Sequence, residues 1–378
     1  MERSDIKELR TEKSISKNTG RGQNPAIFTC ENTGNIKMPK ASILPCFIPM
    51  EGCPNACIFC EQKQISSHSE SPSPEKIAGD IEKLTSPHEL AFYGGSFSML
   101  PKERQLHYLE AAANGINDGK ITDIRISTRP DSIDTEELAL LWENGVRTIE
   151  LGIQSLDEKV LHTAGRFYDE KTGFASAKLI KEKGFSLGLQ LMPGLPQASY
   201  EKDMATAQKC LAMQPDFVRI YPTLVIGHTK LADMYRQGIY EPLTLDEAVC
   251  RCRDIAALFL AHNIPIIRMG LHNTQSLQEG LIAGPFDEAF GALVYSSLAA
   301  EHMKMLQEKS DCQSITANKN YLPLLFGHKG SNKVWIKEHL PHGLHGSKDM
   351  AEKSLAAGDI ILNEKDFLLQ YIDKISTK

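Results

Sequence analysis

Short apolar runs alternate with longer segments of helical periodicity over residues 41–270. The apolar runs end at turn residues such as Gly94-Gly95 and Pro193-Gly194, which is typical of buried strands. Six strand–helix units in alternation predict an α/β fold, a partial (β/α)6 TIM-like barrel around a parallel sheet. The predicted strands cover 43–48, 90–93, 124–127, 148–151, 186–191 and 217–221, and the predicted helices cover 74–84, 102–114, 134–143, 168–183, 200–213 and 245–262.

The pattern divides the chain into three parts. Residues 1–40 are polar and slightly basic, which predicts a partly flexible lead-in, either a solvated tail or an RNA-contacting arm. Residues 41–270 form the predicted core barrel. Residues 271–378 break the alternation and predict a small mixed α+β C-terminal extension, with helices near 289–307 and 348–357.

Composition and charge exclude several classes of protein. The 378 residues are 41% hydrophobic with a formal net charge of −6, so no global basic field indicates nucleic acid. The longest apolar runs are far shorter than the roughly 18 residues of a membrane span. The first residues, MERSDIKELR, carry no secretory signal, and nine cysteines is an odd number for a disulfide framework. These features predict a cytoplasmic protein without a membrane anchor.

Three cysteines follow the first predicted strand with the spacing Cys-x3-Cys-x2-Cys, at Cys53, Cys57 and Cys60. Each thiolate can reach a different iron of one [4Fe-4S] cluster, which leaves the fourth iron open. Structural zinc would take four protein ligands, and His68 or Cys46 would have to supply the fourth. Unconnected buried thiols are the remaining alternative. The other six cysteines are predicted to pack as small apolar residues.

This loop, with an aromatic residue before its last cysteine, resembles that of radical S-adenosylmethionine (SAM) enzymes, and the resemblance covers residues 41–270. It implies an oxygen-sensitive enzyme with two cofactors, a [4Fe-4S] cluster and SAM. The open iron would chelate the methionine half of SAM, and one electron would cleave SAM to a 5′-deoxyadenosyl radical. The resemblance also implies a flavodoxin- or ferredoxin-like electron donor.

Two further positions match the superfamily after the second and third strands. Gly94 and Gly95 stand where the family has a Gly-Gly-Glu-like turn whose backbone carbonyls hold the SAM amino group. Ser96 replaces the usual acid of that turn. Ser127 stands where the related pattern has Glu. The resemblance makes these four residues candidate SAM contacts.

The ends of the fourth and fifth strands resemble the branch that contains oxygen-independent coproporphyrinogen III oxidase and the Elongator catalytic subunit. In that branch a Gln and an Arg reach the SAM ribose and carboxylate, which implies these roles for Gln154 and Arg166. Gln190 is then a candidate ribose contact, and Met192 a candidate adenine contact. A turn-capping Gln, a surface Arg and a core Met are the alternatives.

The segments RIYPTLVI (219–226) and TRPD (128–131) resemble the Elongator catalytic subunit more closely than the tetrapyrrole oxidases. Two features depart from that subunit. It spaces its first two cysteines more widely, and residues 271–378 are too short for its acetyltransferase domain. The resemblance therefore extends to the radical SAM domain and not to acetyl transfer.

The branch implies a base in RNA, and specifically in tRNA, as the substrate. A small molecule, such as a tetrapyrrole or a peptide side chain, and a non-catalytic iron-sulfur or SAM-binding protein are the alternatives. Tyr221, at a strand end, is a candidate radical relay or an ordinary packing residue. The mildly basic stretch 333–348 with Trp335 is either an RNA contact or a solvated surface.

Overall fold

The computed structural model describes residues 42–53, 57–62, 65 and 70–377. The predicted lead-in at 1–40, and with it Cys30, lies outside the described residues, as does His68.

The described elements alternate as strand and helix through the first two thirds of the chain. The strands are β1 (Ser42–Ile48), β2 (His88–Gly94), β3 (Ile121–Thr128), β4 (Val146–Gln154), β5 (Ser186–Leu191), β6 (Phe217–Ile220), β7 (Val225–Ile226), β8 (Ile266–Met269), β9 (Leu281–Ala283), β10 (Ser314–Asn318), β11 (Gly343–Ser347), β12 (Ser354–Ala357) and β13 (Ile360–Asn363). The helices are α1 (Pro74–Glu82), α2 (Lys102–Asn117), α3 (Thr135–Glu143), α4 (Glu158–Thr163), α5 (Glu170–Lys183), α6 (Tyr200–Ala212), α7 (Lys230–Arg236), α8 (Leu245–Ala261), α9 (Gln275–Gly280), α10 (Phe290–Ser310), α11 (Leu322–Phe326), α12 (Lys333–His339) and α13 (Glu364–Ser376).

A seven-stranded parallel sheet in the order β1-β2-β3-β4-β5-β6-β8 forms the centre of the fold. The six predicted strands are all present, and the apolar stretch at 264–269 adds β8. The sheet is curled, as a contact between distant strands shows. Arg219 on β6 reaches Tyr93 on β2 across the inner surface of the sheet, with 3.0 Å between Nη2 and the hydroxyl. The predicted α/β half-barrel is therefore confirmed, and its edges are β1 and β8.

Side-chain caps fix where the helices begin. The Asp134 carboxylate accepts from the Glu137 backbone N–H at 2.8 Å and so caps the start of α3. The Glu137 carboxylate pairs with Lys102. A reciprocal capping box is present at Thr244 and Glu247, which start α8.

The main core lies between the outer face of the sheet and the helices that cover it. Alternate strand residues such as Ile48, Phe92, Ile126 and Leu151 are fully buried there. Burial of each such side chain stabilises the fold by about 1.5–3 kcal/mol. Successive strand residues point to opposite faces, so the intervening positions point into the half-barrel. These inward positions include Phe47, Tyr93, Arg125, Glu150 and Gln190.

The C-terminal extension has its own four-stranded sheet, in the order β11-β10-β12-β13. Its core continues onto α8 through Ala257 and Ala261. The Tyr371 hydroxyl on α13 donates to Asp254 on α8 at 2.6 Å, so the extension is bonded to the outer surface of the barrel.

The helix predicted over 348–357 is wrong. Strand β12 occupies its second half and pairs antiparallel with β13 and with β10. Gly358, with φ of +58°, allows the tight turn between β12 and β13. Leu355 is fully buried in this sheet, so tertiary packing overrides the helical preference of the alanines around it.

The cysteines outside the loop differ in exposure. Cys46, Cys210 and Cys252 are buried, which confirms their predicted packing role, and Cys312 is half-buried. Cys250 is exposed, so the expectation that it packs in a core is wrong. Cys250 and Cys252 are two positions apart on α8 and therefore lie on different faces of that helix.

Candidate functional site

The candidate site lies at the carboxyl ends of the parallel strands. The cysteine loop follows β1, and the Gly94-Gly95 turn follows β2. The ends of β3, β4 and β5 carry Ser127, Gln154 and Gln190. Because all these strands are parallel, their carboxyl ends meet at one edge of the half-barrel. The fold therefore brings the predicted residues of five separate segments to a single mouth.

The cysteine loop is held in place by its backbone. Cys60 N donates to Cys57 O at 3.0 Å, which closes a turn that presents both side chains. Ile58 N donates to Ala164 O at 3.1 Å, and Ile58 O accepts from Leu231 N at 2.8 Å. The side chain of Ile58 is buried in a small apolar cluster below the loop. Positions 54–56 lie outside the described residues.

The three thiols lie close enough to influence one another's ionisation. Burial raises the pKa of Cys60 to about 12, and negative charge on Cys57 and Cys53 adds to the shift. Burial and the Cys57 charge also raise the pKa of Cys53. A bound cation would displace the thiol protons and remove this penalty, because coordination stabilises thiolate.

The donor set fits an iron-sulfur cluster. Among the described residues, no group of three His, Cys, Asp or Glu side chains is arranged to hold a single metal ion. A [4Fe-4S] cube takes one thiolate per iron, so its cysteines need not converge on one point. Cys46, one suggested fourth zinc ligand, is buried in the core at 5% exposure.

Two buried arginines face the loop. Arg166 Nη1 lies 3.3 Å from Cys57 Sγ, Nη2 donates to Gly152 O at 2.5 Å, and Nε donates to the Tyr168 hydroxyl at 2.9 Å. Arg129 is paired with Asp131, and its positive charge acts to lower the pKa of Cys53. Arg129 Nη1 is buried and has no hydrogen-bond partner among the described residues. These charges favour an anionic group at the loop.

The glycines seat the loop against the turn after β2. A Cβ on Gly95 would lie 2.1 Å from Glu51 O, and a Cβ on Gly52 would lie 2.1 Å from Ser96 O. Ser96 N donates to Glu51 O at 2.9 Å across this contact. Gly95 and Gly52 therefore serve close backbone approach, whereas Gly94 is required by its φ of +103°, and its carbonyl accepts from the Gln62 side chain.

The two predicted serines differ in their surroundings. Ser96 is fully buried, and its hydroxyl bonds Thr128 Oγ1 at 2.9 Å and accepts from Arg129 N at 3.2 Å. Ser127 is half-buried on the inner face, in register with Glu150. The Ser96 hydroxyl is therefore engaged within the protein, whereas Ser127 lines the interior.

Gln154 and Gln190 are bonded to each other at the mouth. Gln190 Nε2 donates to Gln154 Oε1 at 3.1 Å, and Gln154 O accepts from Met192 N at 2.9 Å. Gln154 has φ of +64°, a left-handed conformation that non-glycine residues rarely adopt. Such strain is retained where surrounding contacts fix it, and it often marks functional positions. Met192 packs against the same apolar cluster as Cys57 and Cys60.

A chain of buried charges crosses the interior below the mouth. Arg125 pairs with Glu89 at 2.7 Å and with Glu150 at 2.7 Å. Arg219 donates to Glu150 at 3.0 Å and to the hydroxyls of Tyr93 and Tyr221 at 3.0 and 3.2 Å. The sequence analysis did not predict these buried ion pairs. The sequence does contain a signal for them, because charged residues interrupt otherwise apolar strands at inward positions.

Two family models match most of the barrel and part of the extension. Residues 47–210 match the radical SAM superfamily, and residues 215–300 match a radical SAM C-terminal domain. Together the two matches span more than half of the chain.

Several known proteins are similar to parts of the chain. A tRNA uridine(34) acetyltransferase of Methanocaldococcus infernus is 27% identical over 46% of this chain and 36% of its own length. Elongator complex protein 3 of Mus musculus is 30% identical over 47% of this chain and 36% of its own length. The chain thus spans about a third of these curated relatives. An uncharacterized protein of Methanocaldococcus jannaschii is 27% identical over 62% of this chain and 76% of its own length.

The fold also matches a solved structure. That of Methanocaldococcus infernus Elp3 with an N-terminal deletion superposes with a TM-score of 0.55 at 21% identity. The match covers 71% of this chain and 63% of the other. At this identity the similarity shows a shared fold.

Proposed function

Because the chain belongs to the radical SAM superfamily, we propose that it is an enzyme that uses SAM and an iron-sulfur cluster to modify a base in tRNA. The superfamily uses a [4Fe-4S] cluster and SAM. When both are bound, one electron cleaves SAM to a 5′-deoxyadenosyl radical, and the protein supplies placement and shielding. The observation that carries the proposal is the three-cysteine loop seated on the Gly94-Gly95 turn.

The cluster would be held by Cys53, Cys57 and Cys60. Arg166 fixes the position of Cys57 and places a buried positive charge beside its sulfur. The guanidinium is itself held by Gly152 O and the Tyr168 hydroxyl. This arrangement stabilises negative charge on Cys57 by a guanidinium that is itself buried.

SAM would lie between the loop and the ends of β2 to β5. Gly94 presents a backbone carbonyl that accepts from Gln62 and has a second lone pair for the amino group, and Arg166 presents a positive charge for the carboxylate. Gln154 and Gln190 are placed together for the ribose hydroxyls, and Met192 lies beside them for the adenine.

Ser127, Ser96 and Tyr221 complete the proposed assignments. Ser127 faces the interior, where its hydroxyl can reach SAM. Ser96 acts through the Arg129 backbone, since its hydroxyl accepts from Arg129 N. Tyr221 remains a candidate relay, with its hydroxyl held by Arg219 on the inner wall.

The radical chemistry is tested by product formation. The anaerobic protein, SAM and dithionite should yield 5′-deoxyadenosine, measured by liquid chromatography. The Arg166→Gln variant should bind SAM more weakly and form less product. Wild-type protein that carries about four irons and forms no 5′-deoxyadenosine would refute the proposed SAM-cleaving activity. That result would favour a non-catalytic iron-sulfur or SAM-binding protein.

The tRNA substrate is supported by relatives whose names state action on tRNA uridine 34 or membership of Elongator. The tRNA of a deletion strain should lack one modified nucleoside when it is analysed by nucleoside mass spectrometry. Complementation with the gene should restore that nucleoside. An unchanged profile would favour a small-molecule substrate, which the net charge of −6 accommodates without difficulty.

The proposal includes an electron donor and a compartment. A flavodoxin- or ferredoxin-like protein would supply the electron, and the reduced thiols suit the cytoplasm. In the part of the chain that the structure describes, no helix has the length and apolarity to cross a membrane.

A further inference from the structure

Two arginines stand opposite each other at the far edge of the sheet. Arg219 on β6 and Arg268 on β8 are direct partners in the parallel register. Direct strand partners project from the same face, so both side chains point into the half-barrel. Like charges at directly opposed positions destabilise a sheet unless something neutralises them.

The two arginines differ in how they are neutralised. Arg219 is paired with Glu150 and bonded to two tyrosine hydroxyls. Arg268 Nε donates to Gly270 O at 2.9 Å. Among the described residues, Arg268 has no carboxylate partner. Burial and the charge of Arg219 lower the pKa of Arg268, as expected for a cation with too little negative charge around it.

His272 lies near this positive region. It follows β8 at the exposed mouth of the half-barrel. Partial burial lowers its pKa, and the charges of Arg268 and Arg219 lower it further, so the three side chains lie within electrostatic range of each other. The end of β8 therefore presents the Arg268 guanidinium, which has no carboxylate partner among the described residues, and near it the neutral imidazole of His272, which can donate one N–H to a phosphate.

This region faces the same interior as the candidate cofactor site. Arg219 touches both Arg268's strand and Tyr93, the residue directly before Gly94. A molecule held at Arg268 would thus extend across the interior toward the turn after β2. Within the described ranges neither Nη group of Arg268 has a hydrogen-bond partner, and a planar guanidinium with both Nη groups available suits bidentate recognition of a phosphate.

We propose that Arg268, assisted by His272, binds a phosphate group of the substrate nucleotide. The inference rests on the proposed RNA substrate. A phosphate fixed at this edge would set the distance between the target base and the mouth, since phosphate contacts position a nucleic acid while the base is read elsewhere.

The test compares tRNA binding by wild-type and Arg268→Gln protein over a series of salt concentrations, by filter binding with bulk tRNA. One lost phosphate contact should lower the magnitude of the log–log salt slope by about 1 and weaken binding on the order of tenfold at low salt. Arg268→Lys, which keeps the charge, should keep most of the slope.

Arg236→Gln serves as the matched control. Arg236 lies on α7, is exposed and pairs with Asp233, outside the proposed site. The log–log salt slope of tRNA binding by Arg236→Gln should equal that of wild type. All variants should retain wild-type iron content and wild-type 5′-deoxyadenosine formation without RNA, which separates this proposal from the radical chemistry.

Two results would overturn the phosphate site. The first is an Arg268→Gln slope and affinity equal to wild type. The second is wild-type protein that does not bind tRNA, which would also remove the RNA substrate. In that second case, undiminished 5′-deoxyadenosine formation would leave the radical SAM assignment intact.

Discussion

Gly95 and Gly52 allow the cysteine loop to lie directly on the turn after β2. A side chain at either position would drive two backbone segments apart, because each Cβ would meet a carbonyl oxygen at 2.1 Å. The same contact is bridged by the bond from Ser96 N to Glu51 O. The absence of a Cβ atom at these two positions therefore allows the loop to hold the cysteines at the mouth.

Gly95→Ala should displace the loop and sharply reduce iron incorporation, while leaving the helical content of the protein unchanged. Gly79 is the matched control, since it lies on α1 and a Cβ there meets nothing within 4 Å. Gly79→Ala should be neutral or stabilise by up to about 1 kcal/mol. Iron analysis measures the iron incorporation of both variants, and circular dichroism measures their helical content. Full iron loading of Gly95→Ala would contradict the role given to this contact.

Glu150→Gln should destabilise the protein by about 3 kcal/mol, because it leaves the charge of Arg219 buried without a counter-ion. Urea denaturation measures the change. Glu182→Gln removes an exposed pair with Lys178 and should change the free energy of unfolding by less than about 0.5 kcal/mol. Equal effects of the two substitutions would show that the buried charges are not coupled.

The cysteine loop and the charge chain differ in what the sequence can reveal. Cys53, Cys57 and Cys60 are local, so their spacing alone predicts a cluster. Glu150 is 25 residues from Arg125 and 69 from Arg219 along the chain. Only the strand register and the curl of the sheet bring these groups together, and neither can be read from residue spacing.

At the scale of elements, periodicity predicted the barrel well because each strand is buried on its outer face. It also missed the short helices α4 and α7, because helices of fewer than two turns carry little periodic signal. In the C-terminal extension the prediction at 348–357 failed, since β12 owes its conformation to β10 and β13. Sequence pattern is informative where an element packs independently, and less so where its partners determine it.

The C-terminal extension should lose stability in acid through His302 on α10. His302 is fully buried, stacks on Phe367 at 4.4 Å and bonds Leu362 O at 3.0 Å. Burial lowers its pKa from 6.5 to about 4. The folded state therefore binds fewer protons than the unfolded state. This contribution to stability is fully present above pH 6.5 and is lost as the pH falls through 4.

The expected loss is roughly 3 kcal/mol between pH 7 and pH 4, from the size of the shift. Trp335 packs against the same core and reports on unfolding by its fluorescence. His302→Gln should reduce the pH dependence in this range. A variant with the same pH dependence as wild type would show that other groups are responsible.

At the scale of the whole molecule, a net charge of −6 coexists with a local excess of positive charge inside the half-barrel. Glu89, Arg125, Glu150 and Arg219 balance one another, so Arg268 determines the charge at the far edge of the mouth. The extension bonds to the opposite, outer side of the barrel through α8. Overall composition therefore says little about what the interior binds.

The central claim is that Cys53, Cys57 and Cys60 hold a [4Fe-4S] cluster. Its most direct test is iron analysis and absorption spectroscopy after anaerobic reconstitution. Wild-type protein and Cys250→Ser, which removes an exposed thiol outside the loop, should each bind about four irons per chain and absorb at about 400 nm. Cys57→Ala should lose both signals. Iron content and absorption that are undiminished in Cys57→Ala would contradict the account.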